Sequence, residues 1–331
     1  MIWFKRALTL FTFGIVLYLF WPLLGELHQA ADLFRQARWG WLAVAMLLQI
    51  ISYLSLTGLN YLLLQSFQGE LSFRRLLSIL PAMAFIEVAI PTAGVSGAVL
   101  RARYLGRSGY SIEASTFTLM LETLYLGMIM VTISLFGLWY LLDTGGVSPA
   151  QLAWLGAGVV VILTAGLGLV WAGRDRDRVK RWLQRLMFYW NRLAQKYNWA
   201  PYSNEKLTAR LDNFYDGLAY LGQTPRWLSG LMAAGRVALD VATLGACFAA
   251  FHYVITPGVL LTGYGLTLFL SALAALPGGV ALTDVSVAVI YARLGILGAV
   301  AIAASLSYRL IAFWLVRLVG FISWQMLEWK P

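Results

Sequence analysis

The sequence is poor in the residues that form disulfides, metal centres and the charged surface of a soluble protein. It contains one cysteine, Cys247, and two histidines, His28 and His252. A single cysteine excludes a disulfide within the chain, and neither histidine has a partner at metal-ligand spacing, so we predict no metal and no other cofactor. Only 12% of the residues are charged, whereas an ordinary soluble domain has about 25%. The low charge argues against a soluble protein.

Nucleotide-binding and catalytic motifs are also missing. The sequence has no phosphate-binding loop of the form G-x-x-x-x-G-K-[ST], which argues against an ATP-driven pump in one chain. It shows no Ser/His/Asp cluster, and we predict that the protein is not an enzyme. The net charge of +10 is concentrated in residues 174–226, which is typical of a loop beside an anionic membrane leaflet. We therefore expect no nucleic-acid partner.

Long hydrophobic runs dominate what the sequence does contain. Hydrophobic residues make up 60% of the chain, and several runs reach the ~20 apolar residues that cross a bilayer as a helix. We predict an all-α polytopic membrane protein, with a single integral membrane domain over residues 1–331. About six transmembrane helices are expected, at residues 7–24, 40–65, 114–142, 151–172, 227–253 and 298–325.

Two further apolar segments are interrupted by proline and glycine. A helix over residues 76–90 would be only ~22 Å long, too short for the ~30 Å of bilayer hydrocarbon. It breaks at Pro91 and Gly94 and returns over residues 95–105. A second helix over residues 263–276 breaks at Pro277, Gly278 and Gly279 and returns over residues 280–294. We interpret both segments as re-entrant helical hairpins.

The distribution of basic residues predicts the orientation. If both hairpins re-enter, Lys5 and Arg6 lie on the same side of the membrane as residues 174–226. Arg74 and Arg75 fall on that side as well. Because positive charge marks the cytoplasmic side, we expect a multi-pass protein of the inner or plasma membrane with both termini in the cytoplasm.

The two hairpins belong to two similar halves. Residues 40–142 form the first repeat and residues 226–325 the second, and each runs span, hairpin, span. The first would start outside and the second inside, so they would be inverted-topology repeats with a substrate site near the midplane. Residues 174–225 between them are predicted to form a cytoplasmic amphipathic segment.

Ionisable residues inside the apolar segments are the candidates for function, because a charge in the membrane is costly unless it is paired or hydrated. Arginines and free backbone N–H groups at broken helices suit a phosphate. An alternative stays open, in which these charges are static salt bridges that hold the repeats in register. The predicted substrate-binding residues are Glu87, Pro91, Gly94, Arg101, Arg103, Glu122, Arg236, Asp240, Pro277, Gly278, Gly279, Asp284 and Arg309.

Two stretches carry a resemblance to a known family. IPTAGVSGAVLRARYLGRSGYS followed by LETLY, and ALPGGVALTDVSVAVIYARLG followed by SYRLIAFW, resemble the lysylphosphatidylglycerol synthase transmembrane region, also called the flippase-like domain family. The resemblance covers about residues 5–325 and adds Tyr308, beside Arg309, to the predicted site. It implies a membrane protein that moves lipids between leaflets. Some members carry a further aminoacyl-transfer domain, but this sequence stops at Pro331, so we expect no lipid aminoacylation.

Together these patterns predict a lipid translocase. A phosphate-bearing, anionic lipid would enter a polar midplane cavity and be held by Arg101, Arg103 or Arg309, with the carboxylates balancing its charge. The partners would be membrane lipids, and an oligomer is possible. Two alternatives are a membrane-embedded enzyme that acts on a lipid or polyprenyl phosphate and a structural or accessory subunit.

Overall fold

We describe a computed structural model of the chain over residues 32–90, 95–144, 175–196, 226–273 and 280–328. Within these ranges the structure is helical and contains no strand. Its helices are α1 (Trp39–Leu64), α2 (Phe73–Ala89), α3 (Val95–Gly106), α4 (Ile112–Asp143), α5 (Arg176–Lys196), α6 (Arg226–Ala250), α7 (Pro257–Leu273), α8 (Val280–Arg293), α9 (Gly298–Arg309), a π-helical segment (Leu310–Leu315) and α10 (Val316–Glu328).

Within the described ranges, four helical stretches are long and apolar enough to cross a membrane. They are Trp39–Leu64, Ile112–Asp143, Trp227–Ala250 and Gly298–Leu327, and the last of these runs through α9, the π-helical segment and α10. The predicted spans at residues 40–65, 114–142, 227–253 and 298–325 are thereby confirmed as helices within a few residues. The spans predicted at residues 7–24 and 151–172 lie outside the described residues.

Short helices occupy both predicted hairpins. Helix α2 has 17 residues and α3 has 12, and they pack on each other. Helix α7 has 17 residues and α8 has 14, and they also pack together. At ~1.5 Å per residue, α3 is only ~18 Å long, well short of the bilayer hydrocarbon. The predicted break residues Pro91, Gly94, Pro277, Gly278 and Gly279 lie outside the described residues.

Local sequence signals account for the helix starts in the first half. Ser72 precedes α2, and its hydroxyl oxygen accepts a hydrogen bond from the backbone N–H of Arg75. Ser111 precedes α4 and accepts one from the N–H of Ala114, and Glu113 lies in the first turn of α4. Serine caps of this kind satisfy free backbone donors, and the acidic side chain favours the positive end of the helix dipole. Both helices therefore begin within three residues of the predicted positions.

The packing follows a reciprocal pattern across the two halves. Helix α1 packs on α6, the first span of the other half. Helix α2 packs on α10, and α7 packs on α4, so the first hairpin helix of each half contacts the final span of the other. Within each half, α3 packs on α4 and α8 on α9. The bundle is thus held together mainly by contacts between halves.

Glycines allow the closest of these contacts. A Cβ atom at Gly320 of α10 would overlap the Pro81 carbonyl oxygen of α2. A Cβ atom at Gly265 of α7 would lie 3.0 Å from the Ile133 carbonyl oxygen of α4. Small residues let helix backbones approach each other where the lipid supplies no hydrophobic driving force. The two reciprocal hairpin contacts therefore both depend on glycine.

The first prediction tests the α2–α10 contact. Gly320→Ala should destabilise the protein by about 1–3 kcal/mol, because the added methyl group meets a backbone carbonyl that cannot rotate away. The matched control is Gly127→Ala on α4, where a Cβ atom has nothing within 4 Å. Thermal unfolding of the purified protein in detergent measures both. Equal melting temperatures for the two variants would contradict the close approach.

Candidate functional site

Arg101 is fully buried at the junction of three helices. It lies on α3, and its Nη1 donates a hydrogen bond to Glu122 Oε2 of α4 at 2.9 Å. Its Nη2 donates to Asn60 Oδ1 of α1 at 2.6 Å. The Arg101 side chain is only 1% exposed, and that of Glu122 is 15% exposed. The ion pair to Glu122 and the hydrogen bond to Asn60 thus join α3 to both α4 and α1.

A second polar cluster surrounds Asp240 of α6. Asp240 Oδ1 accepts a hydrogen bond from Arg236 Nη1 at 3.0 Å, one helical turn away. Asp240 Oδ2 accepts two more, from the hydroxyls of Tyr264 on α7 and Tyr308 on α9, each at 2.7 Å. One carboxylate thus connects a span, the second hairpin and the final span. Charge-assisted hydrogen bonds of this kind are about twice as strong as neutral ones.

Arg236 also reaches across to α1. Its Nη1 donates to Ser52 Oγ, and Ser52 Oγ donates to the Arg236 carbonyl oxygen at 2.8 Å. The guanidinium carbon of Arg236 lies 5.2 Å from the centre of the Tyr53 ring. These contacts join the middle of α1 to the middle of α6.

A third group of charges, the hairpin-tip cluster, comprises Tyr53, Glu87, Arg236, Arg309 and Arg317. Glu87 lies near the end of α2, and its side chain occupies the space that a Cβ atom at Gly97 of α3 would fill. Glu87 interacts electrostatically with Arg317 and with Glu122. Arg317 interacts in turn with Tyr53, Glu87, Arg309 and Arg236. These interactions act at a distance, because Glu87 forms no ion pair within 4 Å with Arg317 in the described part of the structure.

The π-helical segment organises the arginines of this cluster. The guanidinium carbons of Arg309 and Arg317 each lie 3.7 Å from the centre of the same ring, that of Phe313. Arg317 Nη1 donates to the Phe313 carbonyl oxygen at 3.4 Å. π-Helical turns are rare and often occur at functional sites. No signal in the sequence identified this segment.

The remaining predicted residues are placed as follows. Arg103 is exposed on α3, two residues after the buried Arg101. Asp284 is on α8, but its side chain lies outside the described part of the structure. Among the contacts that can be described, the structure joins Arg101 with Glu122, Arg236 with Asp240, and Tyr308 with Asp240.

Sequence reasoning missed several members of these clusters. Asn60, Ser52 and Tyr264 supply hydrogen bonds to the ion pairs, and Phe313 contacts two arginines. In an apolar run, a polar or aromatic residue of this kind is indistinguishable from a packing residue. Arg317 offered a signal as a second arginine in the final span. Among the described residues, no group of three or more His, Cys, Asp or Glu side chains could hold a metal ion.

Comparison with known protein families identifies the family of this chain. The family model of the lysylphosphatidylglycerol synthase transmembrane region matches residues 6–320. The chain belongs to this family. No curated protein matches its sequence. As a member of the lysylphosphatidylglycerol synthase transmembrane family, it is a multi-pass membrane protein linked to lipid handling, and the match confirms the resemblance found in its motifs.

The second prediction concerns the Arg101 ion pair. Glu122→Gln should destabilise the protein by about 3–5 kcal/mol, because it leaves a buried guanidinium without a counter-charge. Replacing both partners, with Arg101→Met and Glu122→Leu together, should recover much of the loss. Asp32→Asn is the control, since Asp32 pairs with Arg35 on the surface and both side chains are exposed. Thermal unfolding that shows Glu122→Gln to be as stable as the control would contradict a structural ion pair.

The third prediction concerns the hydrogen bonds to Asp240. Tyr308→Phe and Tyr264→Phe should each cost about 1.5–3 kcal/mol of stability, the usual contribution of a hydrogen bond to a charged group. Tyr291→Phe is the comparison, because its hydroxyl donates to the neutral Leu260 carbonyl oxygen at 2.7 Å. Its loss should cost only about 0.5–1.5 kcal/mol. A larger loss for Tyr291→Phe than for both other variants would argue against a charged Asp240.

Proposed function

We propose that the protein is a lipid translocase, which moves a phosphate-bearing, anionic lipid between the two leaflets of the cell membrane. The observation that carries the proposal is the hairpin-tip cluster. It gathers three arginines and the carboxylate of Glu87 from α2, α6 and the final span. Charges at that depth are costly, and in membrane proteins they mark substrate pathways by default. Membership of a lipid-handling family supports the same conclusion.

The reciprocal packing supports an architecture of six spans and two re-entrant hairpins in inverted repeats. Suppose that α1 is equivalent to α6, α2 to α7, and α4 to the final span of α9 and α10. Each contact made by one half then has a counterpart in the other half. In particular, the α2–α10 contact then corresponds to the α7–α4 contact. A twofold relation between the halves would generate this correspondence, and such repeats place their substrate site at the interface between them. Alternating access would follow from movement of one half against the other.

Each cluster has a distinct part in this proposal. Arg309 would bind the lipid phosphate, because a guanidinium holds an oxyanion through two parallel hydrogen bonds. Arg101 and Asp240 each form hydrogen bonds to side chains of neighbouring helices, which favours a positioning role for their clusters. They would keep the hairpin helices aligned while the lipid passes. No chemical step on the lipid is proposed, and the partners are membrane lipids alone.

The orientation follows from the basic segments. The described α5 helix carries seven Lys or Arg residues and one Asp within Arg176–Lys196. Such a helix suits the anionic cytoplasmic leaflet, with both chain termini on the same side. The lipid would then enter the hairpin-tip cluster from the cytoplasmic end of α2 or leave towards it.

The fourth prediction tests translocation directly. The purified protein is reconstituted into liposomes that contain fluorescent phosphatidylglycerol or phosphatidylcholine, and a membrane-impermeant quencher is added outside. Wild type should accelerate exchange between leaflets and prefer the anionic lipid. Arg309→Ala should slow that exchange about tenfold or more, because a hydrogen-bonded charge pair typically contributes at least that factor to binding.

Arg107→Gln is the matched control for this assay. Arg107 also lies beside an aromatic ring, with its guanidinium carbon 5.4 Å from the centre of Tyr104, but it is outside the hairpin-tip cluster. The Arg107→Gln variant should exchange lipid at the wild-type rate. If folded wild-type protein exchanges no lipid, with or without a proton gradient, the translocase proposal is wrong and an enzymatic or accessory role takes its place.

A further inference from the structure

Helix α5 combines positive charge with exposed aromatic rings. Within Arg176–Lys196 it carries seven Lys or Arg residues and one Asp. Trp182, Phe188 and Tyr189 are 62%, 66% and 64% exposed. Among the described helices, none packs extensively on α5. Charged side chains are stable in water, whereas three large aromatic rings on one exposed helix indicate a surface that another molecule covers.

The helical spacing places these rings in line with arginines. Positions 181, 185, 188 and 192 are three or four residues apart, so they follow one another along one face of the helix. Positions 182, 185 and 189 have the same spacing along an adjoining row. We call this exposed surface the arginine–aromatic stripe, and its members are Arg181, Trp182, Arg185, Phe188, Tyr189 and Arg192.

A groove of about 460 Å³ lies on the stripe. Its described lining residues are Arg181, Gln184, Arg185, Phe188 and Tyr189. The Phe188 and Tyr189 rings meet edge to face, with their centres 6.0 Å apart. The groove therefore brings together two guanidinium groups, one helical turn apart, and two aromatic rings.

The two arginines of the groove are not neutralised by the protein. In the described part of the structure, neither Arg181 nor Arg185 has an acidic side chain within 4 Å, and the ion pair described on this segment joins Arg178 to Asp175. Like charges four residues apart on a helix repel each other. An anion bound between the two guanidiniums would relieve the repulsion, and a guanidinium binds phosphate oxygens through two parallel hydrogen bonds.

The position of α5 in the chain favours a lipid surface as the occupant. The predicted span of residues 151–172 ends four residues before Arg176, so a linker of residues 173–175 spans at most ~11 Å. Helix α5 therefore begins close to the membrane. Anionic phospholipids offer phosphates to the arginines, and the interfacial layer of the bilayer accommodates aromatic rings.

We propose that the arginine–aromatic stripe of α5 binds anionic phospholipids at the membrane surface. Arg181 and Arg185 bind lipid phosphates in the groove, and Phe188 and Tyr189 enter the interfacial layer beside them. This surface site is separate from the hairpin-tip cluster and binds lipids whether or not they are translocated. The inference rests on the proposed function only for the identity of the leaflet, which is the cytoplasmic one.

The fifth prediction tests lipid binding by α5 without transport. The lone cysteine, Cys247, is buried, so Cys247→Ala provides a background in which Gln184→Cys carries a single fluorescent label at the groove. The labelled full chain is reconstituted into phosphatidylcholine nanodiscs with increasing phosphatidylglycerol and a lipid that bears a quencher on its headgroup. Quenching should increase with phosphatidylglycerol and saturate.

The arginines should set the amount of anionic lipid that is needed. Arg181→Gln and Arg185→Gln together should raise the phosphatidylglycerol fraction for half-maximal quenching severalfold or more, because each basic residue near an anionic surface contributes roughly fivefold to binding. The corresponding double lysine variant should lose less, because lysine keeps the charge and lacks the bidentate geometry. The matched control, Arg74→Gln with Arg75→Gln, removes two exposed charges at the start of α2 and should leave the midpoint unchanged.

A second pair of variants tests the rings. Phe188→Ala and Tyr189→Ala together keep every charge of the stripe and should reduce quenching at saturating phosphatidylglycerol, because the label then lies farther from the headgroups. Unchanged quenching in this variant would overturn the insertion of the rings. Thermal unfolding of each variant checks that it is folded.

Other outcomes overturn the inference as a whole. An unchanged midpoint in the folded Arg181 and Arg185 variant, or an equal shift in the α2 control, would exclude a specific role for the groove. A label that responds to polyglutamate and not to phosphatidylglycerol would assign the stripe to an acidic protein instead. The liposome assay is independent: lipid-dependent quenching without leaflet exchange by wild type would support the stripe and refute translocation. Leaflet exchange without such quenching would do the reverse.

Discussion

The requirement that a charge buried in a bilayer have a partner governs this structure. Arg101 is buried to 1% side-chain exposure, and it is tolerated because Glu122 and Asn60 satisfy both of its terminal nitrogens. Asp240 meets the same requirement with Arg236 and two tyrosines. A guanidinium or carboxylate that lost these partners would cost several kcal/mol at that depth. The two clusters therefore dictate which helices must remain neighbours.

Each of these two clusters ties one short helix to two neighbouring long helices of its half. The first ties α3 to α1 and α4, and the second ties α7 to α6 and α9. Helices α2, α3, α7 and α8 have 12 to 17 residues, fewer than the ~20 that cross a bilayer. Polar contacts to long neighbouring helices, together with glycine-mediated backbone contacts, fix their positions in the bundle. The short helices are thus held by the longer helices beside them.

The hairpin-tip cluster differs from the static clusters in its composition. Arg309 and Arg317 both contact the Phe313 ring, and the exposed Glu87 lies against Gly97 of α3. Two like charges on one ring attract an added anion, and this attraction underlies the proposed phosphate site. The π-helical segment supplies the ring that both arginines contact. The proposed lipid site and the two ion-pair clusters would therefore occupy the same few helices.

The sequence by itself determined the helical class, the ends of the described helices to within a few residues in most cases, and the family. These depend on hydrophobic runs, serine caps and helix-breaking residues, which act locally along the chain. Helix α7 was the exception, because it begins at Pro257 instead of residue 263. Only the tertiary structure decided which charges pair, that Asn60 and Tyr264 complete the clusters, and that Arg317 contacts the same ring as Arg309. The reason is that partners such as Ser52 and Arg236 are 184 positions apart in the chain. No local sequence pattern encodes which face of one apolar helix will contact another helix.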